Sequence, residues 1–387
     1  MDCVTGINVL LRIERHQILE DTAADRKTKC TRHSYEDTFF RFCSQKIFKI
    51  NAAFKKHKLY MKKLLTIAIP TYNRAQYLDK QLAWIAQAIK GYESEIELYV
   101  SDNCSTDNTQ EVVAKWRAQL GNVTLNSTTN AKNIGLMRNV IQCLDWATTK
   151  YVWAIGDDDP LQDRAITCVF DKLRQYEDVS LLFLNFSGRN GLTGEADSPD
   201  TIVGNRWFDI EKEDGAGDGK ATFQHCITKS VGASTFLTAI IFRTTVVQQA
   251  IRIWPEGLDN WFFYVYLCGY CAANGRMIVT KETYLECITG VSSWQKDSKL
   301  AFAIQYKDLP VMVEKLAEVG YSKQFRRAMM VRTLKDINLK VLFGAVKRWP
   351  GFAIPTLAMF VTNVGRGLIA AEPSRDLAVL EKRTPSE

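Results

Sequence analysis

The chain has 387 residues, 46% apolar and 24% charged, with a net charge of +7. That balance excludes a disordered chain and an integral membrane protein and leaves room for one large domain or two. Residues 1–60 carry 12 Lys or Arg against 7 Asp or Glu and residues 321–350 carry 8 against 1, leaving a net −5 over residues 61–320; an acidic body with a basic end speaks against a nucleic-acid partner and suits an anionic membrane surface better.

Residues 1–60 hold three of the four histidines, no proline and no strand-turn-helix pattern. They are expected to be an N-terminal extension that contributes little to function, with Met61 a candidate start. From Met61 the pattern alternates. The short apolar run 64–69 predicts a buried parallel strand, and residues 75–90 show helical spacing through Leu78, Leu82, Ile85, Ala86 and Ile89. Residues 97–100 predict a second strand, 109–120 a helix, 123–125 a short strand, 136–148 a helix, and 151–155 and 180–185 two further strands. Strands alternating with helices of this length imply right-handed βαβ units and a mostly parallel sheet. Residues 187–220, rich in glycine, predict a long loop bordering a site, and structure resumes over residues 233–242.

The ten cysteines have no framework spacing and no signal peptide precedes them, so a reducing cytoplasm is the expected compartment. Cys268 and Cys271 form a CxxC inside an apolar stretch and are expected to be buried thiols on one helix face. His225 is expected to be structural. Residues 323–348 mix eight basic side chains with apolar ones such as Met329, Leu339 and Phe343, a pattern suited either to an anionic leaflet or to packing on the body. The apolar stretch 351–361 is too short to span a bilayer.

Chemistry gathers at the ends of the predicted strands. Asp157, Asp158 and Asp159 follow the run 151–155. Like charges about 4 Å apart repel by about 1 kcal/mol in water and about 4 kcal/mol near a protein surface, so such a cluster suits a cation. Over the crevice of an open α/β sheet it suggests a divalent-metal site for a phosphorylated substrate. Pro70, Thr71, Tyr72 and Asn73 follow the first strand, where a proline ends ladder pairing and a turn can face a ligand. Asp102 follows the second and can accept from a base or a ribose hydroxyl. Asn133 and Gly135 lead into a helix carrying Arg138, whose guanidinium can neutralise phosphate.

The succession PTYN, SDNCSTDNT, NIG with a following Arg, and GDDD resembles the family 2 glycosyltransferases, and GDDD together with GASTF at 232–236 and IFR at 241–243 looks most like the abequosyltransferase-type branch of bacterial polysaccharide enzymes. The resemblance implies a GT-A (Rossmann-like) α/β fold, a mostly parallel sheet flanked by helices, in residues 61–300, with a helical, basic section in residues 301–387. It implies transfer of a sugar, with inversion, from a nucleotide-diphosphate donor to a saccharide or polyprenyl-linked saccharide acceptor in O-antigen or capsule biosynthesis. Pro70, Thr71, Tyr72, Asn73, Asp102, Asn133, Gly135, Arg138 and Asp157 are then expected around the nucleotide-sugar. Asp158 and Asp159 are expected to ligate Mg2+ or Mn2+. The family pattern Asp-X-Asp-Asp has Gly156 in its first acidic place here. Asp259, ahead of an aromatic stretch, is the candidate catalytic base, with a helix N-cap as its other reading. The enzyme would work in the cytoplasm, at the inner face of the plasma membrane. Two alternatives stand beside this reading: a sugar nucleotidyltransferase, which lacks its Gly-rich triphosphate loop here, and a non-catalytic nucleotide-sugar-binding subunit of a polysaccharide assembly complex.

Overall fold

The computed structural model describes residues 63–159, 161–190, 193, 208, 218–289 and 297–369. The expected extension at 1–60 and most of the expected loop at 187–220 lie outside the described residues.

Strand β1 (Leu65–Thr71) is followed by helix α1 (Ala75–Ala88), β2 (Ile96–Asp102), α2 (Thr109–Gln119), β3 (Thr124–Thr129), α3 (Leu136–Trp146) and β4 (Tyr151–Ala154). Every residue of β1, β2 and β4 is buried, as strands covered on both faces require, whereas β3 at the sheet edge is mostly half-exposed. Then come α4 (Ala165–Gln175), β5 (Val179–Asn190), α5 (Gly219–Lys229), β6 (Ile240–Arg243), α6 (Thr244–Ile253), α7 (Phe263–Ala273) and β7 (Arg276–Thr289). The strands form one sheet in the order β3-β2-β1-β4-β6-β5-β7. β6 runs antiparallel to both its neighbours, and the remaining pairs are parallel.

This order positions the site. After β3 the chain crosses back over β1 to lay down β4, so the C-terminal ends of β1 and β4 flank the point where the strand order reverses, the place where open α/β sheets bind ligands. Pro70 does not end the strand as expected. It stays in register with Ser101 of β2, but β1 and β4 last pair at Ala68 and Ala154. The amide that proline lacks would point to the β4 side, where no ladder remains. Asp102 likewise closes β2 instead of following it.

The helices α8 (Ser298–Ala303), α9 (Leu309–Glu318), α10 (Lys323–Lys335), α11 (Leu339–Arg348) and α12 (Pro350–Ile369) form the C-terminal section, with a π-helical turn at Ile304–Asp308 between α8 and α9. The expected basic segment is two helices, because Asn338 breaks it and caps α11 by accepting from the amides of Lys340 and Val341. The expected eleven-residue apolar stretch is part of a twenty-residue helix. Helix α7 is buried from Phe263 to Ala272, and burial pushes the Cys268 and Cys271 thiols far up, which fits inert core residues.

Candidate functional site

Two loops are stitched together beside the β1 and β2 ends. Asn73 takes a positive φ of 52°, which turns the chain off β1 into α1. Its amide donates to Ser105 Oγ at 2.8 Å, and its Oδ1 accepts from the Thr106 amide at 2.7 Å. Asp107 of the second loop accepts from the Ala75 amide at 2.9 Å and so caps α1 from outside that helix. Asp102 is fully buried: one oxygen accepts from the Ser105 amide at 2.9 Å and the other from Gln110 Nε2 at 2.5 Å. Its carboxylate therefore shapes the loop around which a ligand would bind. Tyr72 is 42% exposed at the rim.

A layer of asparagines holds the third turn, of which sequence reasoning singled out Asn133 but not Asn103 or Asn139. Asn103 donates to Asn133 Oδ1 at 2.9 Å and accepts from the Ile134 amide at 2.9 Å, while Asn133 Oδ1 also accepts from the Gly135 amide at 2.8 Å. Asn139 exchanges hydrogen bonds with Ser101, side chain and carbonyl, at 2.6 and 2.9 Å. Gly135 has φ 88°, a conformation glycine adopts freely, and starts α3.

The acidic run leaves β4 directly against β1. Asp157 is buried; Thr71 Oγ1 donates to its Oδ2 at 2.7 Å, and Arg74 Nε lies 3.0 Å from its Oδ1. Arg74 Nη2 pairs with Asp158 Oδ2, so one guanidinium bridges two of the three carboxylates. Asp159 accepts from Thr238 Oγ1, which in turn accepts from the Gly156 amide at 2.8 Å. Burial pushes the Asp157 carboxyl up to about 6 against the opposing pull of Thr71 and Arg74, and pushes Asp159 up to about 6 against Thr238. For Arg74, burial acts to lower the value, but Asp157 and Asp158 outweigh it and hold the guanidinium above its ordinary range.

Glycine at position 156 leaves room for the Asp159 carboxyl in its present orientation. A Cβ there would lie 2.3 Å from Asp159 Oδ2 and 2.9 Å from its Cγ. The Asp159 carboxyl takes the space that a side chain at 156 would need.

A divalent cation is tested by these donors. Among the described residues no three carboxylate, imidazole or thiolate groups converge as a closed cage. Mg2+ and Mn2+ suit one or two carboxylates completed by phosphate and water, and the Asp157 and Asp158 oxygens, both on one cation already, offer that set. Asp159, expected beside Asp158 as a ligand, is engaged with Thr238.

Asp259 ends a tight turn at Pro255–Asp259 and is not a helix cap, since Phe262 occupies the cap position of α7. Its carboxylate is 73% exposed and meets Arg138 Nη2 at 2.5 Å. Gly257 lets the turn pack, because a Cβ there would lie 2.2 Å from the Phe263 ring. Next to it, Asn260 Nδ2 donates to the Asp308 carbonyl at 2.9 Å, and the Trp261 amide donates to Asp308 Oδ2 at 3.1 Å. Asp308 is buried, and burial raises its carboxyl. Sequence reasoning passed over Asp308, whose signal was a lone carboxylate at the head of the apolar run 309–313. His225 lies exposed on α5.

Comparison with known proteins places these features. Residues 66–228 match the model described as Glycosyl transferase family 2. The abequosyltransferase RfbV of Salmonella typhimurium is 34% identical over 118 residues, 30% of this chain and 35% of that protein. The poly(ribitol-phosphate) beta-N-acetylglucosaminyltransferase TarS of Staphylococcus aureus is 28% identical over 126 residues, 33% of this chain and 21% of that protein. The matched stretch thus spans about a third or less of the length of these two relatives. The crystal structure of S. aureus TarS 1-349 superposes with a TM-score of 0.55 at 14% identity, over 79% of this chain and 81% of that one. The same protein in complex with UDP-GlcNAc gives 0.53 at 14% identity, with the same coverage. Residues 66–228 thus resemble the glycosyl transferase family 2 domain, and the described residues take a GT-A fold with a helical C-terminal section.

Proposed function

We propose that this chain transfers a sugar, with inversion and with the help of Mg2+ or Mn2+, from a nucleotide-diphosphate donor to a saccharide or polyprenyl-linked saccharide acceptor of a bacterial surface polysaccharide. The observation that carries the reading is the meeting of Thr71, Arg74, Asp157 and Asp158 at the ends of β1 and β4. Two carboxylates and a guanidinium at a strand-order reversal suit a diphosphate and its cation. The relatives' names support sugar transfer: one moves abequose, another N-acetylglucosamine, and the structure of the latter binds UDP-GlcNAc. Because these sugars differ, the donor sugar of this chain is left to experiment.

Asp157 and Asp158 would hold the cation, which when bound offsets the charge that grows on the departing diphosphate. Pro70, Thr71, Tyr72 and Asn73 with the buried Asp102 would form the nucleoside side of the pocket, and Asn133 and Gly135 would present the α3 N-terminus to phosphate. Asp259 would take the proton from the acceptor hydroxyl, with Arg138 keeping it oriented. A thermal-shift panel of UDP-, GDP-, CDP- and dTDP-sugars with and without Mn2+ tests the reading, since a ligand of the native state raises its stability. Stabilisation by one base, strengthened by Mn2+, is expected. No response to any activated sugar counts against donor binding, and consumption of a nucleoside triphosphate with a sugar 1-phosphate would instead make the chain a nucleotidyltransferase.

The C-terminal section supplies a surface for a lipid-linked acceptor. Residues 337–369 contain Lys340, Lys347, Arg348 and Arg366 and no Asp or Glu. On α11 only Ala345 is buried, while Leu339 and Phe343, one turn apart, are 64% and 74% exposed. Helix α12 is long and apolar enough to cross a bilayer, with a mean hydropathy of 1.4. However, its stripe Ala353, Thr356, Phe360, Asn363, Val364 and Gly367 is buried against the protein: Phe360 meets Tyr306 edge-on at 5.3 Å, and a Cβ on Gly367 would lie 2.6 Å from Met330. A helix packed along one side suits lying on an anionic leaflet better than spanning it, with Ile354, Val361 and Ile369 on the lipid side. Attachment would thus be peripheral, at the cytoplasmic face.

A further inference from the structure

We infer that Arg74 is a positioning residue that couples binding of the divalent cation to binding of the donor diphosphate, a role that rests on the metal-assisted transfer proposed above. Its guanidinium reaches Asp157 through Nε and Asp158 through Nη2, the two carboxylates best placed to hold that cation. A divalent ion taken by Asp158 competes with Nη2 for that carboxylate, because the ion and the guanidinium repel each other at contact distance.

The remaining contacts make displacement easy and direct it. Arg74 Nε, though buried and 3.0 Å from Asp157, is not aligned to donate a hydrogen bond there. The Arg74 Cζ sits 4.3 Å from the centre of the Tyr77 ring, which supports the guanidinium plane through cation–π contact without using its N–H groups. Arg74 also follows directly on the Asn73 turn that the second loop pins, so its main chain stays at the β1 end while its side chain swings. A planar fork released from Asp158 seeks another anion that it can meet with two donors, and the diphosphate brought by the cation is such a partner. Cation and diphosphate therefore favour each other through Arg74, and by linkage the coupling is reciprocal.

The test measures affinities, not turnover. Mn2+ binding is titrated calorimetrically to wild type and to Arg74→Gln, and affinity for UDP, GDP, CDP and dTDP is measured at saturating Mn2+. Arg74→Gln is expected to bind Mn2+ alone about five- to tenfold more tightly, the worth of a partly exposed ion pair, and to bind the preferred diphosphate about tenfold more weakly. Arg74→Lys keeps the charge without the fork and should fall between the two, with a melting temperature matching wild type. Unchanged or weaker Mn2+ binding in folded Arg74→Gln overturns the competition, and tighter Mn2+ binding with unaltered diphosphate affinity overturns the coupling. Absence of Mn2+ uptake by both proteins, with or without a diphosphate, instead removes the metal-assisted reading on which this role depends.

Discussion

Arg138 on α3 and Asp259 at the end of the 255–259 turn stand 121 residues apart in sequence and meet at 2.5 Å. The first lies inside the family-matched stretch 66–228 and the second beyond it, so the pair ties the matched stretch to the segment that follows it. An exposed pair of this kind contributes little to stability, which leaves orientation of the carboxylate as its main effect.

Asp259→Asn is expected to lower turnover by about two to four orders of magnitude, the usual worth of a general base, while donor affinity is kept. Because Asp259 does not cap α7, the melting temperature should hardly move. Arg138→Ala should lower turnover less and weaken donor binding as well, since it would serve both Asp259 and phosphate. Single-turnover kinetics with a donor-binding isotherm separate these effects; near-normal turnover in Asp259→Asn removes it from the mechanism.

The buried carboxylates make stability and metal affinity depend on pH. Asp157 and Asp159 are both pushed up to about 6, above the usual carboxylate value. Between roughly pH 4 and 6 the folded state therefore binds more protons than the unfolded one, and stability from these groups falls as pH rises through that window. Lowering the pH from 7.5 to 5 should thus raise the melting temperature of wild type relative to Asp159→Asn, by about 2 °C for a shift of this size in a chain this large. Mn2+ affinity should move the other way and weaken below about pH 6, because protonated carboxyls are poor ligands. A melting-temperature difference that does not change with pH would remove Asp159 from the linkage.

Gly156→Ala probes the departure from the family's acidic pattern. The added methyl meets the free end of Asp159, so the cheapest response is rotation of that carboxyl away from Thr238. The variant is expected to fold, and to lose the part of the pH dependence that Asp159 supplies. A melting curve matching wild type at pH 7.5 and at pH 5 would mean that Asp159 keeps its place.

What the sequence revealed and what it hid have separate physical causes. β1, β2 and β4 were legible because they are buried on both faces and read as apolar runs, and the acidic run was legible because its residues are adjacent. β7 was not expected at all: Lys281, Glu282 and Glu286 interrupt its apolar residues, and its pairing with β5 shifts register at Phe183 and Asn185. Arg74 was overlooked because a lone arginine after a turn reads as a solvated charge, and its partners come 83 and 84 residues later. Thr238 and Asp308 act through hydrogen bonds closed only by the tertiary fold, which no local pattern encodes.

The basic C-terminal surface yields a prediction independent of catalysis. Phe343 and Leu339 lie one turn apart on α11 with Lys340 and Lys347 beside them, an arrangement that sinks apolar groups below the headgroups while the ammonium groups stay level with them. Burying two such side chains is worth about 3–5 kcal/mol, and each nearby Lys or Arg adds about 1 kcal/mol at an anionic surface. Wild type should cosediment with vesicles containing phosphatidylglycerol and be largely released by high salt, while Phe343→Asp with Leu339→Asp should stay in solution with its melting temperature and donor affinity intact. Because α11 buries only Ala345 in the protein, these changes should leave the fold untouched. Equal binding to neutral and anionic vesicles would assign attachment to apolar contact alone, and no binding by wild type at low salt would leave α11 without a role at the membrane.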